Sequence, residues 1–243
     1  MHKYLPEKRG LAKKIVYFRK KGSGYILRKF FYSFIFPLTI PFQKSKNYAF
    51  GGQRYSYFYH AYNTTWANER AVEIPIFADL AKRHEQCQVL EIGNVLGHYI
   101  KPAWDIVDKY ETGKNIINQD ILSFQPVKKY DLILSISTFE HIGFDDESND
   151  PNKVLKVIAN LRKNVLNRGG QMFISIPLGY NKAIDHQIFE QKFGYNRCWL
   201  LKRNTWRNHW SEIPISKLLP PEQCRYHHPY QGANYLAVLN FKN

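Results

Sequence analysis

The stretch Val89-Leu90-Glu91-Ile92-Gly93-Asn94-Val95-Leu96-Gly97 decides the fold. A short apolar run closes on an acid and a glycine-containing turn. A parallel strand has that order when it hands a nucleotide-like ligand to the following helix N-terminus, whose free N–H groups and dipole favour an anion. Related segments recur downstream at suitable intervals: Trp104-Asp105-Ile106-Val107-Asp108, then Asn118-Gln119-Asp120, then Tyr130-Asp131-Leu132-Ile133-Leu134-Ser135.

Around these segments the chain alternates helix and strand. Residues 68 to 83 repeat apolar side chains at helical spacing (Val72, Ile76, Phe77, Leu80), with Pro75 marking a first turn or a kink. Strands are predicted at 87–92, 104–108, 130–136 and 171–177. Between the last two, Asp150 is the predicted N-cap and Pro151 the first helical residue. Val154, Leu155, Ile158, Leu161 and Val165 make that helix's apolar stripe, and Gly169-Gly170 its stop. Residues 47–66 read as an irregular connection. Strands alternating with helices give a doubly wound α/β sheet. Asp108 and Asp120 lie too close for a full crossover helix, so that helix is reduced to a turn at Glu111-Thr112-Gly113.

With 243 residues the chain can bury one sizeable core plus an appendage. Cys87, Cys198 and Cys224 form no CxxC pair, so neither a zinc site nor a disulfide framework is indicated, and a reducing cytoplasm is expected. The net charge of +15 is concentrated at the start, where residues 1–50 hold twelve Lys and Arg against Glu7 alone. Phe30 to Phe42 is dense in aromatics, but its thirteen residues fall short of the roughly 20 that cross a bilayer. Residues 1–46 are therefore read as a basic aromatic arm suited to an anionic membrane surface, on the inner face of the membrane. Packing of its aromatics on the core is the competing reading. The near-neutral body, residues 47–243, disfavours nucleic acid as a partner.

The segments quoted above resemble the class I S-adenosylmethionine-dependent methyltransferases over residues 85 to 180. The resemblance implies a Rossmann-like seven-stranded methyltransferase sheet. Its closing antiparallel pair would be Cys198–Leu201 and Tyr235–Leu239. It also implies S-adenosyl-L-methionine as cofactor, held by Glu91, Gly93 and Gly97, with Val95 replacing the usual middle glycine. Asp108, with Glu111 in reserve, would take the ribose hydroxyls, and Asp120 would lie near the adenine amino group. Ser135 to Gly143 is similar to the family segment where methyl donor and acceptor meet, which places Ser135 at the cofactor.

His141 is the candidate base there, because an imidazole titrates near neutrality and a hydroxyl acceptor must shed a proton. Glu140 or Asp145 would orient it. Tyr180 and Asn181, after the fifth strand, are candidate acceptor contacts. The Trp-rich run 199–210 reads as packing. The motif Gly-Asn-Val-Leu-x-His-Tyr, residues 93–99, is similar to a subgroup associated with bacterial surface-polysaccharide clusters. The expected activity is O-methylation of a small molecule or glycan, with a lipid-linked sugar suited to the arm. The alternative is a catalytically degenerate methyltransferase-like scaffold at the membrane surface.

Overall fold

The computed structural model describes residues 36–42, 46–145 and 150–243. An eight-stranded sheet has the order β5-β4-β3-β6-β7-β10-β8-β9. Its strands are β3 (Val89–Ile92), β4 (Asp105–Asp108), β5 (Ile116–Asn118), β6 (Tyr130–Ile136), β7 (Leu166–Pro177), β8 (Arg197–Arg203), β9 (Trp210–Ile213) and β10 (Tyr235–Lys242). The pairs from β5 through to β7 are parallel. Strand β10 runs antiparallel to both β7 and β8, as the closing pair requires. This is the Rossmann-like methyltransferase sheet, with β9 added at the edge as an eighth strand.

Strand β6 is central because it is apolar on both faces, the signature of a strand covered on each side. Leu132, Leu134 and Ile136 pack with Val72, Ile76 and Phe77 of helix α1 (Arg70–Arg83). Ile133 packs on the other face with Val154, Val157 and Ile158 of α2 (Lys153–Asn160) and Ile184 and Ile188 of α3 (Lys182–Phe189). Pro75 sits inside α1 and offers no N–H to the carbonyl of Ala71, which accepts from Phe58 N at 2.9 Å instead.

Three sequence expectations are corrected. Residues 47–56 form a hairpin, β1 (Asn47–Phe50) and β2 (Gln53–Ser56), closed through Gly51-Gly52, with Tyr48 and Phe50 turned into the core. Asp150 does not cap α2, whose N-cap is Asn152. Its Oδ1 accepts from Asn152 N at 2.9 Å in a turn before the helix. Gly169-Gly170 do not stop that helix. It ends in a π turn at Leu161–Val165 and passes directly into β7, where the glycines exchange main-chain bonds with Asn243.

The reduced crossover is present as expected, with no helix between β4 and β5. The first 35 residues of the arm lie outside the described residues. The part that follows, Phe36–Phe42, is a 3-10 segment, and Phe36 is fully buried with Trp66 and Ala67. Burial of that ring contributes roughly 1.5–3 kcal/mol. Among the described residues of the arm, Phe36 and Ile40 pack against the body. Among the described residues, no helix is long and apolar enough to cross a membrane.

Candidate active site

The carboxyl ends of β3, β4, β5 and β6 surround a cavity of about 370 Å³, a size suited to a small-molecule ligand. Tyr62, Asn63 and Arg70 close it from the N-terminal side. Ligands of open α/β sheets collect at this edge because the turns there present main-chain N–H groups and side chains together.

The turn after β3 lines the cavity through Gly93, Asn94 and Val95. Gly93 has φ +80°, and a Cβ there would run into Thr138 Oγ1. Glu91 is fully buried. Its Oε1 accepts from Val95 N at 2.9 Å and Leu96 N at 2.7 Å, and its Oε2 from Trp104 Nε1 at 3.0 Å. Burial raises its pKa against the pull of those donors. Glu91 is therefore the brace of the turn and does not line the cavity, contrary to the expectation of cofactor contact. Gly97 is also set back from the lining, and a Cβ on it would collide with Asn94 Oδ1.

At the end of β4, Asp108 lines the cavity, but its carboxylate accepts three main-chain N–H groups. Asn94 donates to Oδ2 at 3.0 Å, and Tyr110 and Glu111 donate to Oδ1 at 2.7 and 2.8 Å. Glu111 also lines the cavity, held by Asn94 Nδ2 at 2.6 Å and His98 Nε2 at 3.1 Å. At the end of β5, Asp120 accepts from Leu122 N at 3.0 Å and pairs with Lys109 and Lys153 at 3.0 and 3.1 Å. Partial burial alone would raise Asp120, but the Leu122 amide and the two ammonium groups outweigh it and hold the carboxyl at about 2.

Beyond β6, the structure brings His141, Ser137 and Thr138 to the cavity and leaves Ser135 out. Ser135 is buried inside β6 and donates to Ile92 O at 2.9 Å, joining two strands, contrary to the expected cofactor contact. Ser137 has φ +40°, strained for a serine, and is pinned from several sides. Its N donates to Ser175 O at 3.1 Å, and its Oγ to Glu73 Oε1 at 2.6 Å.

His141 Nδ1 faces Asp145 Oδ2 at 2.6 Å. Its Nε2 lies 3.7 Å from Oε1 of Glu140. Glu140 is buried behind the lining, and its Oε2 has no hydrogen-bond partner among the described residues. Burial pushes this carboxyl well above the usual range, with Glu73 and Glu69 adding to the shift and Arg70 opposing it.

Tyr180 stands behind the imidazole, ring centroids 4.7 Å apart, and donates its hydroxyl to Asp145 Oδ2 at 3.1 Å. It supports the His141–Asp145 pair and does not line the cavity. Asn181 is a helix cap. Its Oδ1 accepts from Ala183 N and Ile184 N at the start of α3, and its Nδ2 donates to Glu140 O at 3.0 Å. The expected acceptor contact is thus a structural residue.

Sequence reasoning missed Arg70 and the network behind it. Arg70 lines the cavity, and its guanidinium pairs with fully buried Glu73 at 2.6 Å. Glu73 Oε1 also accepts from Ser175 Oγ at 2.7 Å. Burial raises Glu73, while Arg70 pulls it down. An Arg-x-x-Glu pair opening an otherwise apolar helix was the available signal. Among the described residues, no cluster of His, Cys, Asp or Glu is placed to hold a metal ion.

No protein-family model matches the sequence, and no curated protein sequence matches it either. Solved structures with a similar fold include the N-methyltransferase NodS from Bradyrhizobium japonicum WM9 with bound S-adenosyl-L-homocysteine. It is 14% identical, with 72% of this chain and 94% of that chain covered and a TM-score of 0.41. A SAM-dependent methyltransferase from Archaeoglobus fulgidus is 13% identical, with 75% and 98% covered and a TM-score of 0.45. TehB from Haemophilus influenzae is also 13% identical, with 75% and 66% covered and a TM-score of 0.40. At these scores the likenesses add nothing to the strand order, on which the fold assignment rests.

Proposed function

We propose that the chain is an S-adenosylmethionine-dependent methyltransferase acting on a hydroxyl of a small molecule or glycan. One observation carries this reading. The turn at Gly93, carboxylates after β4 and β5, and the His141–Asp145 pair after β6 all meet at one cavity. The donor set suits the cofactor from end to end. Carboxylates take ribose hydroxyls, since an ionised carboxylate only accepts and can accept twice. Asp120 and the neighbouring main chain suit the adenine edge. Arg70, a cation in the lining of the same cavity, suits the methionine carboxylate.

The bound cofactor would supply an electrophilic methyl on a sulfonium, which an acceptor oxygen attacks in line. As the new C–O bond forms and the S–C bond breaks, the acceptor's O–H proton must leave. His141 Nε2 receives it, with Asp145 holding the ring and balancing the imidazolium charge. Arg70 and Tyr62 border the space and limit water.

The test offers the protein labelled S-adenosylmethionine and a panel of sugars, nucleotide-linked sugars and lipid-linked sugars. Label should enter one acceptor class and fall by on the order of 10²–10⁴-fold in His141→Ala. Transfer at equal rates in both proteins would remove His141 as the base. Cofactor binding with no transfer to any acceptor would favour the scaffold reading.

A further inference from the structure

The turn between β8 and β9 carries a tryptophan that stays at the surface. Trp210 is buried and Trp199 packs against the same core, as expected for the Trp-rich run, but Trp206 is 40% exposed. The guanidinium of exposed Arg207 lies 5.0 Å from the Trp206 ring. Phe36 of the arm meets that ring edge-on, with centroids 6.0 Å apart. Leu38, two residues further along the arm, is 73% exposed. Two exposed apolar side chains and a cation thus gather where the arm meets the body.

Hydrogen bonds fix this turn relative to the cavity. Buried Arg203 donates from Nε to Thr205 O and from Nη2 to Trp206 O, both at 3.2 Å. Its Nη1 donates to Ala67 O at 3.0 Å. Asn208 Nδ2 donates to Asn68 O at 2.7 Å, two residues before Arg70 in the cavity lining. Strands β7 and β8 both run antiparallel to β10, so Pro177 and Arg203 end at one sheet edge. That is the edge on which the cavity opens. Trp206 and the cavity therefore share one end of the molecule.

We infer that the turn Thr205–Asn208 is a lipid contact on the body itself. Trp206 and Leu38 enter the surface of an anionic bilayer, and Arg207 lies on its phosphates. An amphipathic indole beside a guanidinium suits the headgroup level, where the ring is shielded from water and the cation stays among anions. Charge selects this occupant, because residues 1–35, which lead into Phe36, hold ten Lys and Arg against Glu7 alone. The inference rests on the arm's attraction to anionic lipid: the arm supplies the attachment and the turn sets the orientation. The cavity edge then faces the membrane, the side from which a lipid-linked acceptor would come.

The experiment mixes the full-length protein with vesicles of phosphatidylglycerol and phosphatidylcholine, with and without brominated acyl chains that quench a tryptophan on contact. Wild-type emission should be quenched, and the quenched part should disappear in Trp206→Phe, which keeps a ring against Phe36. Trp206→Ala should bind the vesicles on the order of tenfold more weakly, through lost apolar burial. Arg207→Ala should bind about fivefold more weakly at low salt, the effect of one surface cation. Tm without vesicles should be unchanged in Trp206→Phe and Arg207→Ala, which separates lipid contact from packing. Equal quenching of wild type and Trp206→Phe overturns the inference, as does wild-type affinity in both alanine variants. Failure of folded wild-type protein to bind the anionic vesicles would instead overturn the arm's attachment, and the role of the turn with it.

Discussion

His141 and Asp145 are joined through Nδ1 and Oδ2 at 2.6 Å, and this contact assigns the nitrogens of the imidazole their roles. An ionised carboxylate only accepts, so Nδ1 carries hydrogen and Nε2 is the nitrogen that can take a proton. Asp145→Asn should lower kcat by on the order of 10²-fold, because the amide can hold the wrong tautomer. KM for the cofactor should change little. Tyr180→Phe removes one donor from the same carboxylate and should cost less than about tenfold in kcat. Steady-state kinetics of the two variants check both. Equal losses would mean that Tyr180 acts on the acceptor itself.

Gly93→Ala should destabilise the fold by about 1–2 kcal/mol from the left-handed backbone alone. Contact with Thr138 Oγ1 adds to that cost. Pairing it with Thr138→Ala should return part of the loss, since the hydroxyl and methyl that meet the new Cβ are gone. Thermal unfolding of both single variants and the double variant reads the coupling. Strict additivity would show that the two positions do not touch.

Much of this site was legible because its signals are local. The acid and glycine of 91–93, the apolar run 130–136 and the short interval from Asp108 to Asp120 each depend on neighbours in sequence. They mark the parallel strands β3, β4 and β6 and the missing crossover. The Arg70–Glu73 pair was not legible, because Glu73 finds Ser137 and Ser175 at separations of 64 and 102 residues. Asn181 was misread for the opposite reason. A residue at the right sheet edge also opens a helix, and its side chain is used up in capping it. Gly169-Gly170 were misread as a helix stop, since a double glycine signals an ending in a helix and a close backbone approach in a strand alike.

The buried face of α3 should give the protein a measurable pH dependence. Asp185 is pushed up to about 7 by burial, against the Gly179 amide and the nearby Lys182 and His186 charges. The folded state thus holds this proton more tightly than the unfolded chain, whose carboxyl titrates near 3.9. Its contribution to stability is fully present below about pH 4 and is lost as pH rises towards 7. Asp185→Asn should therefore gain on wild type in denaturant unfolding as pH rises from 4 to 7. The two should run parallel above that window. A gap that is constant across pH would mean that Asp185 is ionised in the fold.

Phe36 marks where the arm meets the body. Deleting residues 1–34 removes most of the arm's positive charge and leaves Phe36 against Trp66 and Ala67. That variant should keep its Tm and lose attachment to anionic vesicles. Deleting 1–46 should also destabilise the body by about 1.5–3 kcal/mol, the scale of burying a Phe side chain. Vesicle co-sedimentation and thermal unfolding of the two truncations separate anchoring from packing. Retained vesicle binding by both would place the membrane contact on the body.

The most direct test of the cofactor site is calorimetric titration of wild-type protein with S-adenosylhomocysteine, repeated on Arg70→Met. Wild type should bind one equivalent per chain with a micromolar Kd. Arg70→Met should bind about 10- to 150-fold more weakly, because the carboxylate loses its charged partner. Absence of binding to folded wild-type protein at millimolar ligand would contradict the assignment of the cavity. Unchanged affinity in Arg70→Met would contradict the orientation proposed for the ligand within it.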